Sequence, residues 1–445
     1  MIEDIVQEIR NNYDNAKKVV SSLRKIGKIK DDFSNEILIE LLDYKIRDVR
    51  IEAVKNLGKF KGAFIEETLI NKFRKEEDSL VKRECVSSLG RQRNINLVPF
   101  FNETLKEKDP KIILQAIRAL LVFKKDASVI NSLKTIQNHP NEMIQDVLSI
   151  ELFDKKKNQK NQKKDHSTVN NKLKNVTVNG DVLDILKYIK EESFHLTFTS
   201  PPYYNARDYS FYSSYKEYLN FLRNVFKETH RLTKNGRFLV VNTSPVIVPR
   251  VSRAHSSKRY PIPFDIHNFL VEDGWEFIDD IIWKKPEYSV KNRIGGFMQH
   301  RKPLGYKPNS ITEYLMVYRK KSPDLIDWNI KQYTNDIVEE SKVNDDFETT
   351  NVWELETACD KTHSAVFPKS LCERIIKYYS YKEDLVFDPF GGSGTFAQVA
   401  IENNRNFFLT EIDKKYFERI KERLQNSNIE STFIEKDDFK EILSK

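Results

Sequence analysis

Two features of the sequence predict an all-α stack of short repeats followed by a doubly wound α/β domain. The first 150 residues repeat a helical pattern at spacings of 31 and 32. From Val176 to residue 445, short β-branched and aromatic runs alternate with helical stretches. Such alternation over about 270 residues is the mark of a largely parallel sheet with helices on both faces.

The repeat is visible in the residues. Asp48-Val-Arg-Ile-Glu-Ala53-Val-Lys-Asn-Leu57-Gly58 returns as Leu80-Val-Lys-Arg-Glu-Cys85-Val-Ser-Ser-Leu89-Gly90, and more loosely as Lys111-Ile-Ile-Leu-Gln-Ala116-Ile-Arg-Ala-Leu120-Leu121. Ile26-Gly27 fits a copy 31 residues earlier than Leu57-Gly58. Apolar residues recur at helical spacing, and Asp48, Asp78 and Asp109 stand at or near helix starts, where a carboxylate caps free amides. A helical hairpin of this length cannot bury its apolar face alone, so the copies stack. The pattern resembles HEAT repeats and implies an α-solenoid over 1–150.

Residues 151–175 read as a Lys-rich linker. Eight Lys and one Asp fall between Lys155 and Lys174, a net +7 of the chain's +8, so the remainder is near neutral. Any nucleic-acid contact therefore rests on local patches or on this segment. Beyond it, the strands expected are 194–199, 236–242, 275–283, 314–318, 384–388 and 406–411. The helices expected are 216–233, 262–273, 369–379 and 395–403.

Composition narrows the class. With 39% hydrophobic and 31% charged residues the chain is globular. No run approaches the roughly 18 apolar residues of a membrane span, and MIEDIVQEIRNNYD places charges where a signal peptide has its apolar core. Three cysteines, none close to another, make neither a disulfide framework nor a metal site. A cytoplasmic protein without a structural metal is expected.

Two motifs carry chemistry. An apolar run, Leu385-Val-Phe, enters Asp388-Pro389-Phe390-Gly391-Gly392-Ser393-Gly394-Thr395, and a helical pattern follows. Strand, glycine turn and helix form a seat for a nucleotide-like ligand. Glu411 ends the next strand, where a carboxylate accepts from ribose hydroxyls. Neither a P-loop nor G-x-G-x-x-G is present. The second motif, Thr199-Ser200-Pro201-Pro202-Tyr203, sits at the carboxyl end of a strand, the edge at which open α/β sheets bind ligands. Its prolines leave carbonyls rigidly aimed. A serine hydroxyl and a proline carbonyl accept from an exocyclic amine, and Tyr203 offers a face for stacking. Only 58 residues run from Asp388 to the end, too few for a whole sheet, so earlier strands complete it.

Read together, TSPPY and DPFGGSGT resemble the catalytic and cofactor motifs of DNA amino-methyltransferases that use S-adenosylmethionine, in the order of the permuted β class. The resemblance covers 176–445 and implies a Rossmann-like methyltransferase sheet, with Ser200, Pro201, Pro202 and Tyr203 catalytic. It implies cofactor contacts at Asp181, Thr199, His363, Phe367, Pro368, Asp388 through Thr395, and Glu411. Asp181 reads equally as the cap of the helix it precedes, and His363 as a capping or core histidine. S-P-P-Y accompanies mostly cytosine-N4 enzymes and D-P-P-Y mostly adenine-N6, which leaves adenine-N6 as the alternative. A rival of another class is a non-catalytic scaffold that binds cofactor or DNA. The resemblance also implies double-stranded DNA as substrate, base flipping, and a restriction–modification setting with a cognate endonuclease as partner. Two basic segments suit phosphate and groove contacts: Arg250, Arg253, Lys258 and Arg259, and then Lys284, Lys285, Arg293 and Arg301. Arg207 joins them, and a target-recognition insertion is expected at about 284–350. Each of these basic residues reads otherwise as part of a solvated loop.

Overall fold

A computed structural model of the chain describes residues 2–29, 34–153, 166–204, 212–248, 252, 254–255, 258–290, 303, 309–322, 324–343, 347, 349–358 and 367–444. The chain forms two compact units, Met1–Asn161 and Gln162–Lys445.

The first unit is helical throughout its described residues. Helices Ala16–Ile26, Arg47–Leu57, Ser79–Gln92 and Pro110–Leu120 carry the repeated sequence, and each packs on the next copy. The repeat's small residues mark the contact. A Cβ on Gly58 would lie 2.5 Å from the Ser88 Cβ, and one on Gly90 would lie 3.1 Å from that of Ala119. Leu57, Leu89 and Leu120 are fully buried, so the repeated apolar positions form one continuous core. Asp78 and Asp109 cap their helices, accepting from Leu80 N (2.9 Å) and Lys111 N (2.8 Å). Asp48 does not. It lies one residue inside a helix whose cap is Ile46, which has no side-chain acceptor.

The second unit is built on a nine-stranded sheet. Its strands, numbered with those of a small hairpin, are β1 (Val176–Asn179), β2 (Phe194–Thr199), β3 (Thr233–Thr243), β4 (Val246–Val248), β5 (Lys258–Tyr260), β6 (Trp275–Lys284), β7 (Thr312–Lys320), β8 (Val352–Glu354), β9 (Leu385–Asp388), β10 (Asn406–Glu411) and β11 (Thr432–Glu435). The order is β11-β1-β10-β9-β2-β3-β7-β6-β8, with β4 and β5 forming the hairpin. Every pair from β11 to β3 is parallel, and β7 runs antiparallel to both neighbours. The late strands β9 and β10 lie inside the sheet, between β1 and β2, as the shortage of chain after Asp388 required. Leu385 and Phe387 face one apolar layer and Val386 the other, so both faces are covered.

Two expected boundaries move. The linker ends before 175: Leu173 is fully buried against β1, and the His166 carbonyl accepts from the buried Lys234 Nζ at 2.9 Å. The expected insertion at 284–350 is interrupted, because Thr312–Lys320 pairs with β3 and β6 within the sheet. The strand expected at 314–318 forms and runs longer, over Thr312–Lys320, but its sheet partners are not encoded locally.

At the amino end of β9 lies a charged cluster that the sequence does not announce. Asp384 and Arg237 are paired and almost fully buried. Tyr333 Oη donates to Asp384 at 2.5 Å and Tyr381 N at 2.8 Å. Burial pushes the Asp384 pKa up, but the Arg237 charge and these hydrogen bonds outweigh it, and the net shift is downward. His195 Nδ1 accepts from Leu385 N (3.1 Å), so its proton sits on Nε2, which donates to the His166 carbonyl at 2.7 Å. Burial holds this ring neutral, with a pKa of about 3. Arg237→Met leaves Asp384 buried without its counter-charge, so it destabilises this unit by about 3–5 kcal/mol. All four tryptophans lie between Trp275 and Trp353, so urea unfolding followed by tryptophan fluorescence reads this unit alone.

Among the described residues no helix is long and apolar enough to cross a membrane, and no group of His, Cys, Asp and Glu is placed to hold a metal ion.

Candidate functional site

The carboxyl ends of β1, β10, β9 and β2 open into a cavity of about 540 Å³, within the roughly 300–1,000 Å³ range of small-molecule sites. This is the crevice of a doubly wound sheet, flanking the point where connections from β9 and β2 turn in opposite directions. Both motifs reach it. Ser200, Pro201, Pro202 and Tyr203 line one wall, and Asp388, Pro389, Phe390, Gly391, Gly392, Ser393 and Thr395 line another. Asp181, Glu411 and Phe367 complete the group expected from sequence.

One hydrogen bond ties the motifs together. Thr199 Oγ1 donates to Asp388 Oδ1 at 2.7 Å, across 189 residues of chain, and Phe390 N donates to the same oxygen at 3.0 Å. Thr199 is fully buried beneath the cavity and braces its wall from below. The glycine turn needs its glycines: Gly392 (φ 52°) and Gly394 (φ 73°) are left-handed. A Cβ on Gly394 would press to 3.0 Å on Ile420 Cγ2. Gly394 caps the helix Thr395–Glu402 rather than lining the cavity.

Two carboxylates face the cavity in unusual states. Glu411 accepts from Gly392 N (2.8 Å) through one oxygen and Asp413 N (2.9 Å) through the other. Burial pushes its pKa up to about 7, against those two bonds. Burial likewise raises Asp388 to about 6. Carboxyls desolvated inside a cleft indicate binding of a ligand that supplies donors. Asp181 caps the short helix Val182–Leu186, accepting from Leu183 N at 2.8 Å, and also lines the cavity. Phe367 stacks on Phe198 at 4.5 Å with an interplanar angle of 28°. Pro368 precedes the helix Lys369–Tyr379 and is not part of the wall.

Sequence reasoning missed Tyr212, Phe221, Phe396 and Tyr416. Tyr212 and Phe221 belong to an aromatic-rich run and its following helix, a signal that marks core as often as site.

The basic residues divide. Lys258 and Arg259 are exposed on the β4–β5 hairpin, whose Tyr260 packs 4.9 Å from Tyr204, next to the S-P-P-Y motif. Lys284 and Lys285 are engaged within the protein, with Glu354 and Glu313 respectively, each at 2.7 Å. Lys285 is largely buried, so it balances a carboxylate rather than presenting a free charge. Glu313 also accepts from Asn242 Nδ2 at 2.8 Å and Tyr203 Oη at 3.4 Å. Arg207, Arg250, Arg253, Arg293, Arg301 and His363 lie outside the described residues.

The sheet order and the glycine turn define an α/β domain that binds a nucleotide-like ligand beside a second polar motif. Residues 194–422 match the N6/N4 DNA methylase family, and the chain belongs to that family. It is 28% identical over 257 residues to the type II β methyltransferase M.BslI of Bacillus sp. (strain NEB-606), covering 55% of this chain and 27% of that protein. The chain thus spans about a quarter of the length of that relative. It is 29% identical over 266 residues to the orphan methyltransferase M.BamHII of Bacillus amyloliquefaciens, covering 52% of this chain and 88% of the relative. Among solved structures, TTHA0409 of Thermus thermophilus complexed with S-adenosyl-L-methionine superposes with a TM-score of 0.47 at 25% identity, covering 58% of this chain and 96% of that one.

Proposed function

We propose that the chain is a site-specific DNA methyltransferase that uses S-adenosylmethionine to methylate the exocyclic N4 of a cytosine flipped out of duplex DNA. The Thr199–Asp388 hydrogen bond carries this reading, since it holds Ser200 and the glycine turn on one cavity. The bound sulfonium donor supplies an electrophilic methyl group. Glu411 accepts from the ribose hydroxyls, Asp181 faces the adenine, and Asp388 and Phe390 line the methionine and adenosine parts of the site. Half-buried Ser200 and the Pro201 carbonyl accept from the target amine. Its lone pair is delocalised into the ring, and these bonds draw the nitrogen toward tetrahedral geometry so that it attacks in line. No strong base is needed before transfer, because the proton leaves from the cationic product. The amine is paired in duplex DNA, so the base must leave the stack to reach Tyr203.

The Ser200 position favours cytosine over adenine. The catalytic-before-cofactor strand order supports the permuted β class, and the stacking of helices that recur every 31–32 residues supports a HEAT-like reading of the first unit. Of the four described basic residues expected to meet DNA, Lys258 and Arg259 are exposed while Lys284 and Lys285 are paired with carboxylates, and a restriction–modification setting with a cognate endonuclease follows from the same reading. Plasmid methylated by the full-length protein, digested to nucleosides and analysed by mass spectrometry, is expected to contain N4-methylcytosine. N6-methyladenine alone would transfer the assignment to adenine, and no methylated nucleoside would leave only a binding scaffold.

A further inference from the structure

We propose that the repeat helices of the N-terminal unit form a second, sequence-independent surface for duplex DNA: a ladder of Lys and Arg at equivalent repeat positions that holds the phosphate backbone outside the methylation site. The occupant rests on the DNA methyltransferase reading of the other unit, whereas the ladder itself does not. The register shared by the stacked helices places positions 24, 55, 87 and 118 in one row, and positions 28, 59, 91 and 122 in a second row one turn further on. The first row reads Arg24, Lys55, Ser87, Arg118 and the second Lys28, Lys59, Arg91, Val122. Six of the eight are basic, none is acidic, and all six cations are exposed.

Charge is polarised between the two layers of the unit. The four stacked repeat helices carry a net +9. Their outer partners Ile2–Asn11, Glu36–Glu40, Ala63–Lys75 and Val98–Thr104 carry a net −4. Among the described residues, Glu52 and Glu84 border the ladder, and both are used: Glu52 pairs with Arg24 and Glu84 with Arg91, each at 3.0 Å. Lys28, Lys55, Lys59 and Arg118 form no carboxylate pair among the described residues. The cations crowd one another. Partial burial lowers the pKa of Lys59, and the charges of Lys55 and Arg91 lower it further. Packed helices lie about 8–10 Å apart, so three steps extend the ladder over roughly 25–30 Å. At about 3.4 Å per base pair, that matches about eight base pairs of duplex. A polyanion of fixed spacing relieves this crowding, and a ladder with no apolar centre suits backbone contact better than a protein partner, whose interfaces deplete lysine.

The test uses the full-length protein carrying Lys28→Gln, Lys55→Gln and Arg118→Gln, three exposed side chains with no carboxylate partner to orphan. The control carries Lys61→Gln, Lys106→Gln and Lys108→Gln, which remove the same charge from exposed positions off the ladder. Binding of a fluorescein-labelled 30-bp duplex is read by anisotropy at 50–200 mM salt. Each phosphate contact contributes about 0.9 to the slope of log K against log salt. The ladder variant is expected to bind about 10-fold more weakly at 100 mM salt and to lose roughly 2–3 from that slope, while the control stays within about twofold of the unmodified protein. Equal affinity and slope in the ladder variant and the unmodified protein would overturn the proposal, as would an equal loss in the control. Calorimetric titration with S-adenosylmethionine separates the two readings. Absence of donor binding in the unmodified protein defeats the methyltransferase assignment, while the difference between the variants still decides the ladder.

Discussion

Replacing Ser200 with alanine is expected to lower kcat for methyl transfer by about 100-fold or more, with donor affinity unchanged within about twofold. The hydroxyl acts on the amine only as the nitrogen changes shape, so its loss is felt in the transition state, as with removal of one preorganised hydrogen-bond partner elsewhere. Ser200 lines the cavity from the S-P-P-Y motif, whereas the donor is assigned to the glycine turn and Glu411. Tyr203→Phe keeps the stacking face and gives up the long hydrogen bond to Glu313, so it retains most activity. Tyr203→Ala loses the face, worth about 1–3 kcal/mol. Steady-state kinetics on plasmid DNA, with donor binding measured by calorimetry, distinguishes these outcomes. An unchanged kcat for Ser200→Ala would remove the serine from the chemistry.

Glu411→Ala is expected to weaken S-adenosylmethionine binding by about 100-fold, since two hydrogen bonds to a charged group are worth about 1.5 kcal/mol each. The stronger signature is pH. The free carboxyl has a pKa of about 7 because burial disfavours its charge. Ribose hydroxyls donate to the ionised form, so binding lowers that pKa, and affinity falls as the pH falls below it. Between pH 8 and pH 6 the ionised fraction drops about tenfold, and donor affinity follows. Asp388, raised to about 6, steepens the decline toward the lower end. In Glu411→Ala the change between pH 8 and pH 7 disappears and only the lower component remains. Affinity independent of pH from 6 to 8 in the unmodified protein would show that Glu411 does not meet the donor as a carboxylate.

Local sequence was enough to determine the central elements and the two motifs. Phe194–Thr199 and Asn406–Glu411 are strands at the expected bounds, and the helix Lys369–Tyr379 begins and ends where its pattern does. Both β2 and β10 are buried along nearly their whole length, and a short run rich in aromatic and β-branched residues is conspicuous in sequence. The glycine turn was legible for a related reason: left-handed backbone admits few residues besides glycine. The repeats were legible because each copy must fit the next, which forces the same small residue to recur at Gly58 and Gly90. Tertiary structure alone decided which strands are neighbours. β9 lies against β2 through a parallel pairing with no local code, and only that pairing brings Thr199 within 2.7 Å of Asp388. The same holds for the buried Arg237–Asp384 pair and for Lys285, whose charge looks free in sequence until β7 carries Glu313 beside it. Backbone preference and apolar periodicity act over a few residues and are written in them, whereas the partner of a polar side chain is set by long-range packing of the whole sheet.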